Sequence, residues 1–244
     1  FSIFIYFGLT NMPWLPLILI YGLIGFKIGG LKLSLTIVAS FLFITFTGVL
    51  PQALLSIYLC GIAVIISFIL GSSLGIWAAH NDKVSAFMRP INDTMQTMPS
   101  FVILIPFVMF FGIGEFTALL AIIAYAFVPA MRYTEHGLRN LPETVIEAAR
   151  MIGCSQTQLL WKVKIPLAMP VIMLGLNQTI MFGLAMLVIA ALVGTTGLGQ
   201  LIYIGLSKAD FGTGMISGVS IALIAIIFDR TTQAWRIKLD KKTQ

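Results

Sequence analysis

Residues 52–79 read QALLSIYLCGIAVIISFILGSSLGIWAA, 28 residues from Gln52 to Ala79 without one Asp, Glu, Lys or Arg. As an α-helix this stretch is about 42 Å long, against a bilayer hydrocarbon core of about 30 Å, so it is long enough to cross with tilt. A membrane strand would instead alternate apolar and polar residues over about ten positions, and this run is apolar all round. The whole chain has the same character. Of its 244 residues 59% are hydrophobic and 10% charged, with a mean hydropathy of +1.00. A soluble domain carries about 25% charged residues, so too few are present to cover a water-facing surface. That excludes an ordinary soluble enzyme, a disordered chain and a nucleic-acid binder, and it predicts an all-α polytopic membrane protein.

Six further apolar segments flank this one: Met12–Ile28, Leu33–Leu50, Pro99–Phe111, Phe116–Tyr133, Pro166–Val193 and Gly212–Phe228. The opening stretch Phe1–Leu9 is too short to span alone and lacks the basic region of a signal peptide. His80–Met98, Thr134–Ile165 and the Gly/Thr-rich Gly194–Phe211 read as loops, and the tail after Asp229 is basic. Cys60 and Cys154 lie far apart, one in an apolar run and one in a polar loop, with neither disulfide nor metal-ligand spacing.

Lys and Arg placement sets the orientation. With Thr134–Ile165 placed in the cytoplasm, alternate counting leaves fourteen of the fifteen basic residues inside and only Lys208 outside. The N-terminus is then outside and the C-terminus in the cytoplasm. The net charge of +6 is mostly an orientation signal. The segments, as bounded, hold no charged residue well inside a span, which speaks against an ion-coupled carrier.

The Thr134–Ile165 loop carries the most information. Pro142 suits a first helical position and Glu143 the positive end of a helix dipole. Val145, Ala148, Ala149 and Ile152 recur at helical spacing, Gly153 fits a C-terminus, and Ser155 with Gln158 has capping-box spacing. The prediction is a helix–Gly–helix unit on the membrane surface, presenting small apolar and charged groups to a partner.

Within it, Glu147-Ala148-Ala149, three residues, Gly153, nine residues and then Val163-Lys164-Ile165-Pro166 resembles the EAA motif of ABC-importer permeases. Val163 and Ile165 replace that pattern's Ile and Leu. Asn92–Phe101, Asn177-Gln178-Thr179 and Gly194–Gln200 are similar to the corresponding parts of glycine betaine/proline-type permeases, a group that includes choline and trimethylamine-oxide permeases. The resemblance implies a type I importer fold of about seven segments. Residues 1–50 would be accessory membrane segments, 51–233 a five-helix core and 234–244 a basic cytoplasmic tail.

The resemblance also implies a role and partners. The chain would be the membrane subunit of an ATP-driven importer for small quaternary or methylated amines, in a bacterial cytoplasmic (inner) membrane. Glu147, Ala148, Ala149 and Gly153 would seat in a cytoplasmic ATPase subunit. A periplasmic or lipid-anchored binding protein would deliver substrate, and a second copy of the chain would supply the second coupling loop. No Gly-Lys pair exists to build a phosphate loop, so ATP and Mg would belong to the ATPase, and the chain itself would be neither an enzyme nor a cofactor binder. Candidate path residues are Met98, Pro99, Ser100 and Phe101, where prolines break the backbone and a kinked packing helix is the equal alternative, with Asn177 and Gln178, which read first as hydrogen-bonding groups between helices or across a dimer. Gly197, Gly199, Lys208 and Asp210, with Glu115, are candidates for binding-protein contact or for loop packing. Met181 and Met186 are candidates for a pliable pore. His80 and His136 read as structural. Alternatives are a permease for methionine or taurine, an ion-coupled carrier, and a sensor subunit.

Overall fold

The computed structural model describes residues 14–243, with side chains to Lys238. The described residues are mostly helical and contain no strand. The first element, α1 (Trp14–Phe46), is a hairpin. At Gly30 the backbone takes φ 76° and ψ −165°, a left-handed value open to glycine, and the chain folds back there. Ser34 Oγ donates to Gly22 O at 2.9 Å, and Tyr21 stacks on Phe41 with centroids 5.1 Å apart. The arms 14–29 and 31–46 are the first two predicted segments. Predicted residues 1–11, and Met12 at the start of the first segment, lie outside the described residues.

The core is built by α2 (Leu50–His80), α5 (Glu115–Arg139) and α7 (Ile165–Ala190), with α5 packed against both others. Small residues let the backbones approach. A Cβ on Gly75 would stand 2.7 Å from Met131 O and 2.8 Å from Thr134 Cβ. Ile122, Met186, Leu187 and Leu198 are fully buried in this core. Met186 is therefore a packing residue rather than part of a pliable pore; Met181 is half-buried. Burying a Leu or Met side chain stabilises by about 1.5–3 kcal/mol relative to water, but in lipid the gain is chiefly tight packing.

Two predicted loops are helices. His80–Met98 contains α3 (Asp82–Thr97), opened by the Asn81 side chain, which accepts from the backbone of Lys83 at 3.0 Å. Its polar composition hid its amphipathic period. Gly194–Phe211 contains α8 (Leu198–Ser207), where Leu198, Leu201, Ile202, Tyr203, Ile204 and Leu206 follow the Gly/Thr-rich turn 194–197. Between α3 and α4 (Ser100–Phe111) the chain bends by 103° at Met98 and Pro99, as the prolines predict. The last helix, α9 (Phe211–Thr243), continues through the basic tail, where Ala234 packs on Gly29 and Lys238 donates to Lys27 O.

By length and composition five helices can cross a membrane, or six with the bent α3–α4 pair. Counting the arms of α1 separately restores the seven predicted segments.

Candidate functional site

One end of the bundle carries α6 (Glu143–Met151), a two-turn helix standing clear of the core. Pro142 precedes its first turn with ψ 124°, one position earlier than predicted. Its C-terminus is a Schellman turn. Gly153 has φ 85°; Gly153 N–H donates to Arg150 O at 2.9 Å and Cys154 N–H to Ala149 O at 3.3 Å. Ser155 and Gln158 form the predicted capping box, and the chain enters α7 through a π-helical turn, Leu159–Lys164.

Ala149 turns toward the protein and is buried, whereas Glu147, Ala148 and Gly153 are exposed. Ile152 does not share the Ala149 face. The glycine turn lifts it out of the helix, and Met151 and Ile152 stand 85% and 84% exposed beside exposed Val145. Nearby, Leu138, Ala168 and Ile172, joined by Leu141 and Ile165, form a small core between α5 and α7, while α6 itself packs on the Leu159–Lys164 turn.

Next to α6 the structure assembles two facing polar stripes that the loop reading of 80–98 missed. Arg89, Asn92, Asp93 and Gln96 on α3 follow i, i+3, i+4, i+7 spacing. So do Arg132, Glu135, His136 and Arg139 on α5. Arg132 donates to Asp93 and Gln96. Arg139 reaches Glu135 at 3.0 Å, Asp82 at 2.8 Å and Ala78 O at 2.6 Å, and Ser85 donates to the buried Glu135 carboxylate. These contacts fix α3 on α5. His80 Nδ1–H donates to Ile76 O (2.8 Å) and His136 contacts Asn140 (2.9 Å), both local structural bonds.

The candidate path residues separate. Met98 and Ser100 are half-buried and Pro99 and Phe101 exposed at the α3–α4 bend. Asn177 is engaged: its amide donates to Asp229 Oδ1 at 2.9 Å, and Thr232 donates to its oxygen at 2.6 Å. Thr179 bonds to Gly175 O within its own helix, and Gln178 is half-buried. Asp229 lies one residue past the predicted end of the last apolar segment at Phe228. It sits beside Asn177, about 18 Å along α7 from Ile165. Gln233 donates to both Asp229 oxygens at 2.8 Å, so the carboxylate is held by hydrogen bonds.

At the opposite end, Gly197 and Gly199 are buried. Ser56 Oγ accepts from Leu198 N–H at 2.9 Å, and a Cβ on Gly197 would stand 2.6 Å from that oxygen. In this conformation both glycines pack the loop on α2 and α7 rather than face a partner. Glu115 accepts from Thr196 Oγ1 at 2.6 Å. Lys208 and Asp210 are exposed, and Asp210 caps α9 through Thr213 N–H (3.2 Å) and Oγ1 (2.6 Å). Among the described residues no three His, Cys, Asp or Glu side chains gather to hold a metal ion.

This geometry has counterparts in known proteins. The family model described as "Binding-protein-dependent transport system inner membrane component" matches residues 71–242. The chain is 40% identical over 226 residues to the glycine betaine/proline betaine transport system permease protein ProW of Escherichia coli (strain K12), covering 93% of this chain and 64% of that one. It is 43% identical over 220 residues to the trimethylamine N-oxide transport system permease protein TmoV of Pelagibacter ubique (strain HTCC1062), over 90% of this chain and 30% of that protein. With the glycine betaine transport system permease protein OpuAB of Bacillus subtilis (strain 168) the identity is 38%, over 97% and 83%. The chain thus spans less than two thirds of the length of the first two. Among solved structures, the MetNI methionine ABC transporter in an inward-facing conformation matches with a TM-score of 0.70 at 19% identity, covering 76% of this chain and 93% of that one. The fold is that of a type I ABC-importer permease.

Proposed function

Because the chain belongs to the binding-protein-dependent transport system inner membrane components, we propose that it is the permease subunit of an ATP-driven importer for small quaternary or methylated amines. Glycine betaine, proline betaine and trimethylamine N-oxide are the leading substrates, after the systems named for its relatives. The observation that carries the reading is α6, a short helix with exposed Glu147 and Ala148, ended by the Gly153 turn and standing outside the core.

In this reading α6 faces the cytoplasm and seats in an ATPase subunit that binds ATP and Mg. The N-terminus is outside and the C-terminus inside. Two copies of the chain present two coupling helices to two ATPases, and a binding protein delivers substrate at the opposite end. The small side chain of exposed Ala148 allows close approach, and the neighbouring Met151 and Ile152 offer apolar area to bury. Since α6 packs on the π-helical turn Leu159–Lys164 that runs directly into α7, a force applied to it would pass to that core helix. Closure of the ATPases would then rock the core helices between inward-open and outward-open states.

The test is reconstitution with the ATPase and binding protein in liposomes. Glu147→Lys and Gly153→Val are expected to leave ATPase activity unresponsive to loaded binding protein and to abolish uptake. Unchanged transport in both variants overturns the coupling role.

A further inference from the structure

The chain passes from α6 into α7 through a turn that is not α-helical. Over Leu159–Lys164 it is a π-helix, and Ile165 N–H donates to Leu160 O, five residues back instead of four. The sequence supplies the cause just beyond the turn. Pro166 has no N–H to give, and in a regular α-helix its ring would press on the carbonyl of Lys162. Widening the turn moves that carbonyl aside. Single π turns within α-helices recur at functional sites, and prolines and π turns are the usual points of bending. The turn is also lightly held. Leu159 is 1% exposed, but Trp161, Lys162 and Pro166 are exposed, and Val163, Lys164 and Ile165 are half-buried. Its only side-chain hydrogen bond among the described residues runs from the Lys164 ammonium to His80 Nε2, and at 3.4 Å it is long. The pieces on either side are firmer. On one side α6, the Gly153 turn and the Ser155/Gln158 capping box form a unit closed by bonds within a few residues of each other. On the other side Ala168 and Ile172 of α7 are buried with Leu138 of α5.

We propose that Leu159–Lys164 is the joint of the coupling device and that Pro166 is its positioning residue, holding the turn open so that the α6 unit swivels against α7 instead of moving with it as one rod. The inference rests on the proposed function for what moves α6. It adds where the motion is taken up. A helix seated in an ATPase has to follow that subunit as it rotates, whereas α7 is confined by α2 and α5. A stiff α-helix from Gln156 into α7 would force both to turn through the same angle. A joint between them passes on the displacement and absorbs the difference in angle. Hinges are a few residues at the ends of elements that take up the change in φ and ψ. Bending costs least here, because the i→i−4 ladder is already interrupted and little packing is broken. Helix propensity therefore opposes function at this position. Pro166→Ala restores the missing donor and removes the ring, so it favours the α-helix and stiffens the joint.

The experiment has one arm on the permease alone and one on the assembled transporter. In nanodiscs, the amides of Trp161–Ile165 should exchange with deuterium faster than those of Ala168–Ile172, and Pro166→Ala should slow them. In the permease–ATPase complex, nitroxides at Thr144→Cys and Ala185→Cys report the distance between α6 and α7; both positions are exposed. Cys154→Ser removes a competing thiol, and dilution with unlabelled permease suppresses distances between copies. With Pro166 in place this distance should change between the nucleotide-free and vanadate-trapped states, and in Pro166→Ala it should stay fixed. ATP-driven betaine uptake by the complete system should fall by about 2- to 30-fold in Pro166→Ala. The ATPase should still co-purify and the melting temperature should not drop, because Pro166 is exposed and alanine suits a helix. Pro166→Gly, which keeps the backbone free, should retain more uptake than Pro166→Ala. Turn amides as protected as those of Ala168–Ile172, the same α6–α7 distance in both states, or full uptake by Pro166→Ala overturns the joint. A wild-type permease that retains no ATPase refutes the proposed function instead, and the exchange arm, which needs no partner, still decides the joint.

Discussion

Asn177, deep in α7, donates to Asp229 of α9 at 2.9 Å and accepts from Thr232 at 2.6 Å, so one amide joins two helices through both of its ends. The Asp229 side chain is 24% exposed, and its other partners are Gln233 and, at 3.9 Å, Arg230. Asn177→Leu leaves a partly buried carboxylate and a hydroxyl each short of one partner, a loss of about 1–3 kcal/mol. The melting temperature in detergent should fall clearly. Asp229→Asn should be milder, because an amide keeps acceptor capacity for Gln233 and Asn177. The double variant Asn177→Leu/Asp229→Leu should lose less than the sum of its singles, since both carry the same contact. Strict additivity would show that the bond does not stabilise the pair.

The α2–α5 crossing depends on the absence of a side chain at Gly75. Backbone oxygen of Met131 lies 2.7 Å from where a Cβ would stand, and backbone cannot move aside as a flexible side chain can. Gly75→Ala is expected to lower stability by about 1–3 kcal/mol through overpacking, and Gly75→Val to prevent assembly. At Gly61 no atom lies within 4 Å of the corresponding position, so Gly61→Ala should be tolerated. Expression level and monodispersity after detergent extraction distinguish the two sites. A well-folded Gly75→Val protein would refute the close-packing account.

Apolar runs such as Gln52–Ala79 are legible because nothing but a span uses 28 uncharged residues, and α2 matches that reading within two residues at each end. The α6 turn was legible for a different reason: Pro142, Gly153 and Ser155/Gln158 act within a few residues of each other and need no tertiary partner. The polar stripes were not read. Their i, i+3, i+4 spacing is present in the sequence, but Arg89 and Asp93 acquire meaning only when α5 brings Arg132 and Tyr133 opposite. Asp229 was hidden likewise, its partner being 52 residues away. Gly197 and Gly199 belong to a turn whose burial against Ser56 and Leu187 is a property of the packed bundle.

Asp210 gives a pH-dependent element outside the spans. Hydrogen bonds from Thr213, first from its hydroxyl and then from its backbone N–H, hold the Asp210 carboxyl below its ordinary pKa. A carboxylate lowered in the folded state stabilises fully above its unfolded value, about 3.9, and loses that contribution as pH falls through the folded one. The first turn of α9 should therefore be protected from amide exchange at neutral pH and fray on acidification into the lower carboxylate range. Asp210→Ala should exchange faster at neutral pH and show no such acid-dependent step. An unchanged protection factor for Thr213 N–H in Asp210→Ala would remove the cap from the account.

Gly153 separates backbone conformation from contact. Its φ of 85° is strained for any L side chain, yet no atom lies within 4 Å of a Cβ built there. Substitution thus costs the left-handed penalty of about 1 kcal/mol without a clash inside this chain. Gly153→Asn, which tolerates that conformation better, should keep more of the turn than Gly153→Ala, and Gly153→Val should keep least. If the turn's shape is what the ATPase recognises, co-purification of the ATPase should decline in the order Gly, Asn, Ala, Val while the melting temperature of the permease alone changes little, because α6 stands outside the core. If bare space at the surface is what matters, Asn should be as harmful as Val, since both side chains intrude on a partner. Capture of the ATPase by the four proteins, measured side by side, separates a recognised backbone geometry from a recognised vacancy of side chain.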